Sequence, residues 1–211
     1  MNAGIIWKWV VCDLAGRIKR RIRLLREMDR YGIEGDVDID ISVQGIMINK
    51  GSMWVSSGTR IRIAEGGKMI VEDGNHYIGV GCYIDVPRGC IVRLGKGVNL
   101  QDYCYIMGSV EVGEGSIMGP FVYMNSGSHV VGIGSGRDAI EEKDKRSPIY
   151  PEEMPIRIEK DCFIGIRAIL LRGVTIKRGV VVGAGSLITQ RIRMEEYDIL
   201  AGVPAEKIGK R

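Results

Sequence analysis

The chain has 211 residues, 45% of them hydrophobic, enough for one domain with a sizeable core. Thirty glycines against six prolines, with aromatic residues at only 6%, argue against a disordered or collagen-like chain and for a narrow core of aliphatic side chains. The net charge of +4 is too mild to argue for a nucleic-acid partner, and five cysteines without metal-type spacing argue against a disulfide framework and for a reducing, cytoplasmic setting.

Residues 5–31 lack proline and place Val11, Leu14, Ile18, Ile22 and Leu25 at helical spacing, with Arg17, Lys19, Arg20, Arg23, Arg26 and Arg30 opposite. The pattern predicts a basic amphipathic α-helix, a segment of its own over residues 1–35, with Trp7 and Trp9 near its start. Such a stripe packs on the rest of the protein or on a neighbouring subunit. Its arginines and tryptophans equally suit the inner surface of an anionic membrane, so a peripheral membrane contact is the alternative. The N-terminal apolar run carries Lys8 and Asp13, is too short to span a bilayer, and does not read as a signal peptide.

Residues 37–72 alternate as strands do (Val37, Ile39, Ile41, Val43; Ile61, Ile63), and residues 78–92 carry Ile78, Ile84, Val86 and Cys90. We read both as imperfect forms of the repeat that begins at Leu94, with a separate small sheet as the alternative for the first. From Leu94 an aliphatic residue recurs every six positions: Leu100, Ile106, Val112, Met118, Met124. The same step runs through Ile158, Ile164, Leu170, Ile176, Val182 and Ile188. Four residues after most of these stands a small or β-branched residue, such as Val98, Cys104, Val110, Ser116, Cys162, Ala168, Val174 and Ser186. That residue and the next aliphatic are two apart, so on a strand both face the same way. Each hexapeptide is then a short strand and a tight turn, three of them close a triangular coil, and coils stack into a parallel β-helix. The predicted solenoid covers residues 36–200, with a tail over 201–211. Residues 130–155 break the repeat with charges and three prolines, as a loop extruded from one corner does, and His129 stands at its root.

From Pro155 the sequence PIRIEKDCFIGIRAILLRGVTIKRGVVVGAGSLIT, followed by YDILAGVPAEKIGKR, resembles the C-terminal half of the hexapeptide-repeat acyltransferases, and within them is most similar to the sugar and polysaccharide O-acetyltransferases. The resemblance implies a left-handed coil, which spacing does not show, since crossovers are normally right-handed. It implies a homotrimer with each active site between two β-helices, acetyl-CoA as co-substrate, and a histidine general base matched here by His129. It also implies acceptor binding at Asn125, a pantetheine slot lined by Gly165, Ala168, Gly183, Ala184 and Gly185, and an adenine-end turn at Ala201–Ala205, including Pro204. Phe163 stands where the family often has tryptophan, Val130 follows the histidine where an acidic or polar residue is frequent, and Glu206 replaces a lysine, leaving Lys207 next to it for a coenzyme phosphate. Lys177, Arg178, Arg191, Lys210 and Arg211 are further basic candidates. Asp138, Glu141 or a main-chain carbonyl are candidates to orient His129.

The chemistry asks little of the protein. One imidazole removes the acceptor's proton, because its pKa lies near working pH, and a backbone N–H stabilises the oxyanion. The expected function is O-acetylation of a sugar hydroxyl in surface polysaccharide assembly, without a metal, in the cytoplasm. Two alternatives remain: N-acetylation of an amino sugar nucleotide, and a non-catalytic solenoid scaffold. A zinc enzyme on the same fold would need three histidines, and the chain has two. The second, His76, reads as structural, and Cys82, Cys90, Cys104 and Cys162 as packing.

Overall fold

The computed structural model describes residues 32–128, 149–150 and 154–211, together with the backbone of Arg20–Arg21. Among these residues every regular element is a strand, and the strands form three sheets wound into a solenoid of about six turns. The first sheet runs from Arg20–Arg21 and Asp38–Ile41 through Arg60–Ile63, Tyr83–Val86, Tyr105–Met107, Tyr123–Asn125 and Ile169–Leu171 to Leu187–Ile188. The second runs from Ser52–Val55 to a closing hairpin, and the third from Ile46–Asn49 to Thr175–Ile176. Except for the first pair of one sheet and the last of another, all pairings are parallel.

The six-residue period becomes a ladder. Ile106 pairs with Met124, eighteen residues on, and Leu170 with Ile188, again eighteen on. Each aliphatic of the two repeat blocks is at most 3% exposed, and the small or β-branched residues four positions later are equally buried, apart from the half-buried Ser128 and Ile192 where each block ends. Earlier coils are wider: Ile61 pairs with Ile84 twenty-three residues on, and Ile84 with Ile106 twenty-two on. Their strands have four residues rather than two or three, so each side contributes two inward residues, as Ile61 and Ile63 do. Residues 37–72 are thus coils of the same three sheets and not a separate one.

Close stacking dictates residue type. A Cβ on Gly165 would lie 2.7 Å from the Ala184 nitrogen and 2.8 Å from the Val182 oxygen, so the next coil excludes any side chain there. At the corner between the second and first sheets Tyr103, Phe121 and Arg167 all hold positive φ near 60°. Each such residue costs about 1–2 kcal/mol. The cost is offset by stacking along the corner, with Tyr103 and Phe121 ring centroids 4.9 Å apart and the Arg167 guanidinium 5.6 Å from the Phe121 centroid.

The predicted N-terminal helix falls almost wholly outside the described residues. Where it can be compared, it is corrected: Arg20–Arg21 are extended and pair antiparallel with Asp38–Ile41. The first coil leaves a row of unpaired backbone groups, and a sheet edge recruits a strand whatever its side-chain period. The predicted loop enters between Tyr123–Asn125 and Ile156–Ile158, and lengthens the Met124–Leu170 step to forty-six residues. Its two arms meet at an antiparallel bridge, the Ser128 N–H bonding the Ile149 carbonyl at 2.8 Å and the Ile149 N–H bonding the Ser128 carbonyl at 2.7 Å.

At the far end Asp198–Gly202 adds to the second sheet and turns back antiparallel as Ala205–Lys210, covering the last edge. Asp198 is buried; Lys207 Nζ lies 2.7 Å from its Oδ1, and the Glu195 N–H donates to its Oδ2 at 2.9 Å. Lys207 first, and that N–H second, hold the Asp198 carboxyl below its ordinary range, while Asp198 raises the Lys207 ammonium.

This packing has two measurable outcomes. Ile106 is fully buried in the middle of its ladder, so Ile106→Ala should cost about 2–5 kcal/mol in denaturant unfolding. A depressed carboxyl contributes stability above its unfolded pKa and loses it as pH falls through the folded value. The gap in thermal midpoint between the native chain and Asp198→Asn should therefore be steady near neutrality and shrink below about pH 4. A gap that persists unchanged in acid would rule the ion pair out as its source.

Candidate functional site

On the outer face of the first sheet Tyr83, Tyr105 and Tyr123 occupy one register position in three successive coils. Their rings stack at centroid distances of 4.9 and 5.1 Å. The neighbouring outward position carries Asp85, Met107 and Asn125. Asp85 is buried despite facing outward, and Arg62 from the coil below compensates it with a bidentate pair, Nε to Oδ1 at 2.9 Å and Nη2 to Oδ2 at 3.1 Å.

Asn125 ends this face where the chain leaves the coil. Its Nδ2 donates to Tyr123 Oη at 3.0 Å, and its Oδ1 accepts the Gly127 N–H at 2.7 Å. Tyr150, on the returning arm, lies against two glycines: a Cβ on Gly127 would stand 2.6 Å from its Cε1, and one on Gly108 2.7 Å from its Cδ1. Burial first, with the Asp85 charge next, pushes the Tyr150 hydroxyl up to about 12. His129 follows Ser128 directly and lies outside the described residues, as do Asp138 and Glu141.

The other expected residues separate into two places. Gly165 and Ala168 are buried, Ala168 completely, so their small size serves coil stacking. Gly183 sits close under the hairpin, with a would-be Cβ 3.0 Å from that of Ala201. Ala184 and Gly185 are exposed at the corner above Arg167, and Gly185 has positive φ with open space where a side chain would be.

Pro204 and Lys207 belong instead to a groove of about 630 Å³ between the hairpin and the last coils. Arg172, Arg191 and Arg193 line it with Gln190, and Glu206 is its acidic residue. None of the three arginines pairs with a carboxylate among the described residues, whereas Lys207 is engaged by Asp198. Of the arginines, Arg191 alone is a candidate from sequence. Arg172 and Gln190 are eighteen residues apart, one coil step, which is the signal that would have placed them together. The groove fits an anionic, elongated ligand end such as a coenzyme's phosphates.

His76 is buried, and its Nε2 donates to the Glu72 carbonyl at 2.8 Å, so it is part of the coil interior. Cys82, Cys90, Cys104 and Cys162 are buried. No group of three or more His, Cys, Asp or Glu among the described residues is placed to hold a metal ion. No helix among them is long and apolar enough to cross a membrane.

Residues 155–190 match the family described as the hexapeptide repeat of succinyl-transferase. A 2,3,4,5-tetrahydropyridine-2,6-dicarboxylate N-acetyltransferase of Staphylococcus aureus is 38% identical over 58 residues, 28% of this chain and 23% of its own. A probable acetyltransferase of Mycobacterium tuberculosis is 30% identical over 120 residues, 57% of this chain and 35% of its own. The chain thus matches 23% and 35% of the length of these curated relatives. Among solved structures the polySia-specific acetyltransferase NeuO superposes with a TM-score of 0.54 at 16% identity, over 86% of this chain and 81% of that one, a likeness of fold. By its repeat, its three-sheet coil and these similarities, the chain is a hexapeptide-repeat β-solenoid similar to acetyltransferases.

Proposed function

We propose that the protein is a coenzyme A-dependent O-acetyltransferase that moves an acetyl group from acetyl-CoA to a sugar hydroxyl. The observation that carries this reading is the groove at the end of the coil stack, where three arginines without acidic partners among the described residues face Pro204 and Lys207. Phosphates of the coenzyme would sit among Arg172, Arg191 and Arg193, with the pantetheine arm along the exposed Ala184–Gly185 corner, where nothing fills the space beside Gly185. A scaffold would have no use for such a groove.

His129 is the general base in this reading. It takes the proton of the acceptor hydroxyl as the oxygen attacks the thioester carbonyl, a backbone N–H holds the resulting oxyanion, and the coenzyme leaves as a thiol on receiving that proton. The acceptor approaches over the first sheet, along Tyr105, Tyr123 and Asn125. The reading includes a left-handed coil, a homotrimer with its sites between subunits, and a cytoplasmic location for surface polysaccharide assembly. Its N-terminal segment either packs on the trimer or touches the membrane. The second reading is N-acetylation of an amino sugar nucleotide; the name of the Staphylococcus aureus relative supports transfer to nitrogen, though on a dicarboxylate and not on a sugar. A panel of hydroxyl and amine acceptors, monitored by release of free thiol, separates the two.

Acetyl-CoA at 100 times its dissociation constant should stabilise the protein by about 2.7 kcal/mol, read as a rise in thermal midpoint. The rise should be smaller in Arg191→Ala and Arg193→Ala, and its absence in the native chain would overturn the coenzyme assignment. His129→Ala should lower turnover roughly 100- to 10,000-fold with acetyl-CoA binding intact. An unchanged rate would remove His129 from the chemistry.

A further inference from the structure

Two buried thiols that acetyl transfer does not use stand one above the other inside the coil stack. We infer that Cys82 and Cys104 are a modification site, a dithiol that a low-molecular-weight disulfide oxidises to a covalent staple between two coils.

Register places the pair. Tyr83 pairs with Tyr105, so the residues before them share one position in consecutive coils, and the Tyr83 N–H bonds the Cys104 carbonyl at 2.9 Å. Paired strands lie about 4.8 Å apart. That falls inside the window of roughly 4.4–6.8 Å between Cα atoms that a disulfide spans. Both side chains point inward and are 1% exposed. Both thiols also lean the same way along the stack. Cys82 Sγ donates to the Gln101 carbonyl at 3.2 Å and Cys104 Sγ to the Gly119 carbonyl at 3.3 Å, in each case one coil further on. The Cys82 thiol therefore reaches into the coil of Cys104. Its hydrogen bond with the Cys104 thiol holds Cys82 below its ordinary value, and the same contact, with burial, pushes Cys104 up. Cys82 is thus the sulfur that ionises first.

No other pair among the described cysteines is placed this way. Cys90 stands between Gly67 and Gly108 in its ladder, and Cys162 between Ser116 and Val180. Cys82 and Cys104 each follow a two-residue corner turn, Val80–Gly81 and Asp102–Tyr103. The thiols therefore lie just under a corner, and local opening there exposes them without unfolding the stack.

The exchange balances. The Cys82 thiolate attacks one sulfur of the small disulfide and displaces the other half as a thiol. Cys104 then attacks the Cys82 sulfur and displaces the second thiol. One S–S bond breaks and one forms, the two cysteine protons end on the two released thiols, and the pair loses two electrons as the reagent gains two. The staple ties the coil of Tyr83 to that of Tyr105 beneath their stacked rings and closes a loop of chain, which constrains the unfolded state.

The test treats the full chain with oxidised glutathione, in buffer and at a urea concentration below the unfolding transition, where corners open. Peptide mapping without reduction should join the peptides of Cys82 and Cys104. The thermal midpoint should rise, and dithiothreitol should return it to its starting value. In Cys82→Ser and Cys104→Ser the bridge and the rise should both vanish; Ser186 occupies the same ladder, so serine suits the position. If neither variant folds, the map of the native chain decides alone. Absence of the bridge under both conditions would overturn the inference. So would a bridge accompanied by a lowered midpoint, because the folded coils would then not accommodate the bond.

Discussion

Parallel coils stacked in register, each bonded through its backbone to the coils above and below, impose the constraint on which the rest of this molecule depends. An inward side chain meets mainly the same position of its two neighbours. The first-sheet ladder Ile61, Ile84, Ile106, Met124, Leu170 and Ile188 is therefore one continuous row of the core, doubled in the early coils by Ile63 and Val86. The same register acts on outward residues. Three tyrosines at one position become a stack, and an aromatic pair at a corner is capped by a guanidinium. Polar residues share the logic: Asp85 can be buried while facing outward because Arg62 stands one coil below it at the same register position.

A stack of this kind has chemistry only where its regularity fails, since regular coils consume their backbone hydrogen bonds in pairing. It fails at three places here. The first edge is met by Arg20–Arg21, the last by a hairpin that secures the buried Asp198 with Lys207, and one corner is opened by the loop after Asn125. The arginine-lined groove lies beside the closing hairpin, and the opened corner carries Asn125 and the returning Tyr150. Ala184 and Gly185 occupy the exposed corner that precedes the last strand of the first sheet, a stretch of the late coils where space is open beside the backbone.

Legibility in the sequence obeyed the same physics. Leu94 to Met124 and Ile158 to Ile188 could be read because an eighteen-residue coil keeps one aliphatic on each side, and nothing else satisfies that spacing. Residues 37–92 were blurred because their coils are four or five residues longer, which breaks the six-residue count while leaving the sheets continuous. The amphipathic period before residue 31 suggested a helix, but a free sheet edge claims Arg20–Arg21 through the backbone, to which side-chain periodicity is blind. Among the residues that the resemblance assigns to the coenzyme slot, Gly165 and Ala168 are buried, and the neighbouring coil also demands their small size. Small size at 184 and 185 does leave exposed space. The sequence alone does not distinguish a glycine that faces a coil from one that faces solvent.

What the sequence by itself determined is the coil: its period, its inward residues, the position of the interruption and the turn near Pro204. These are local, since each is a choice of residue type that short-range geometry demands. What only the tertiary structure decided is which outward residues meet. Arg172 joins Arg191 and Arg193 across a coil step, Tyr150 returns across the loop to the glycines at 108 and 127, and Asn125 spends its amide on Tyr123 and Gly127. Outward positions carry no packing demand that would mark them in the sequence. Their partners are set by register and by the path of the loop, and both exist only once the coils have stacked.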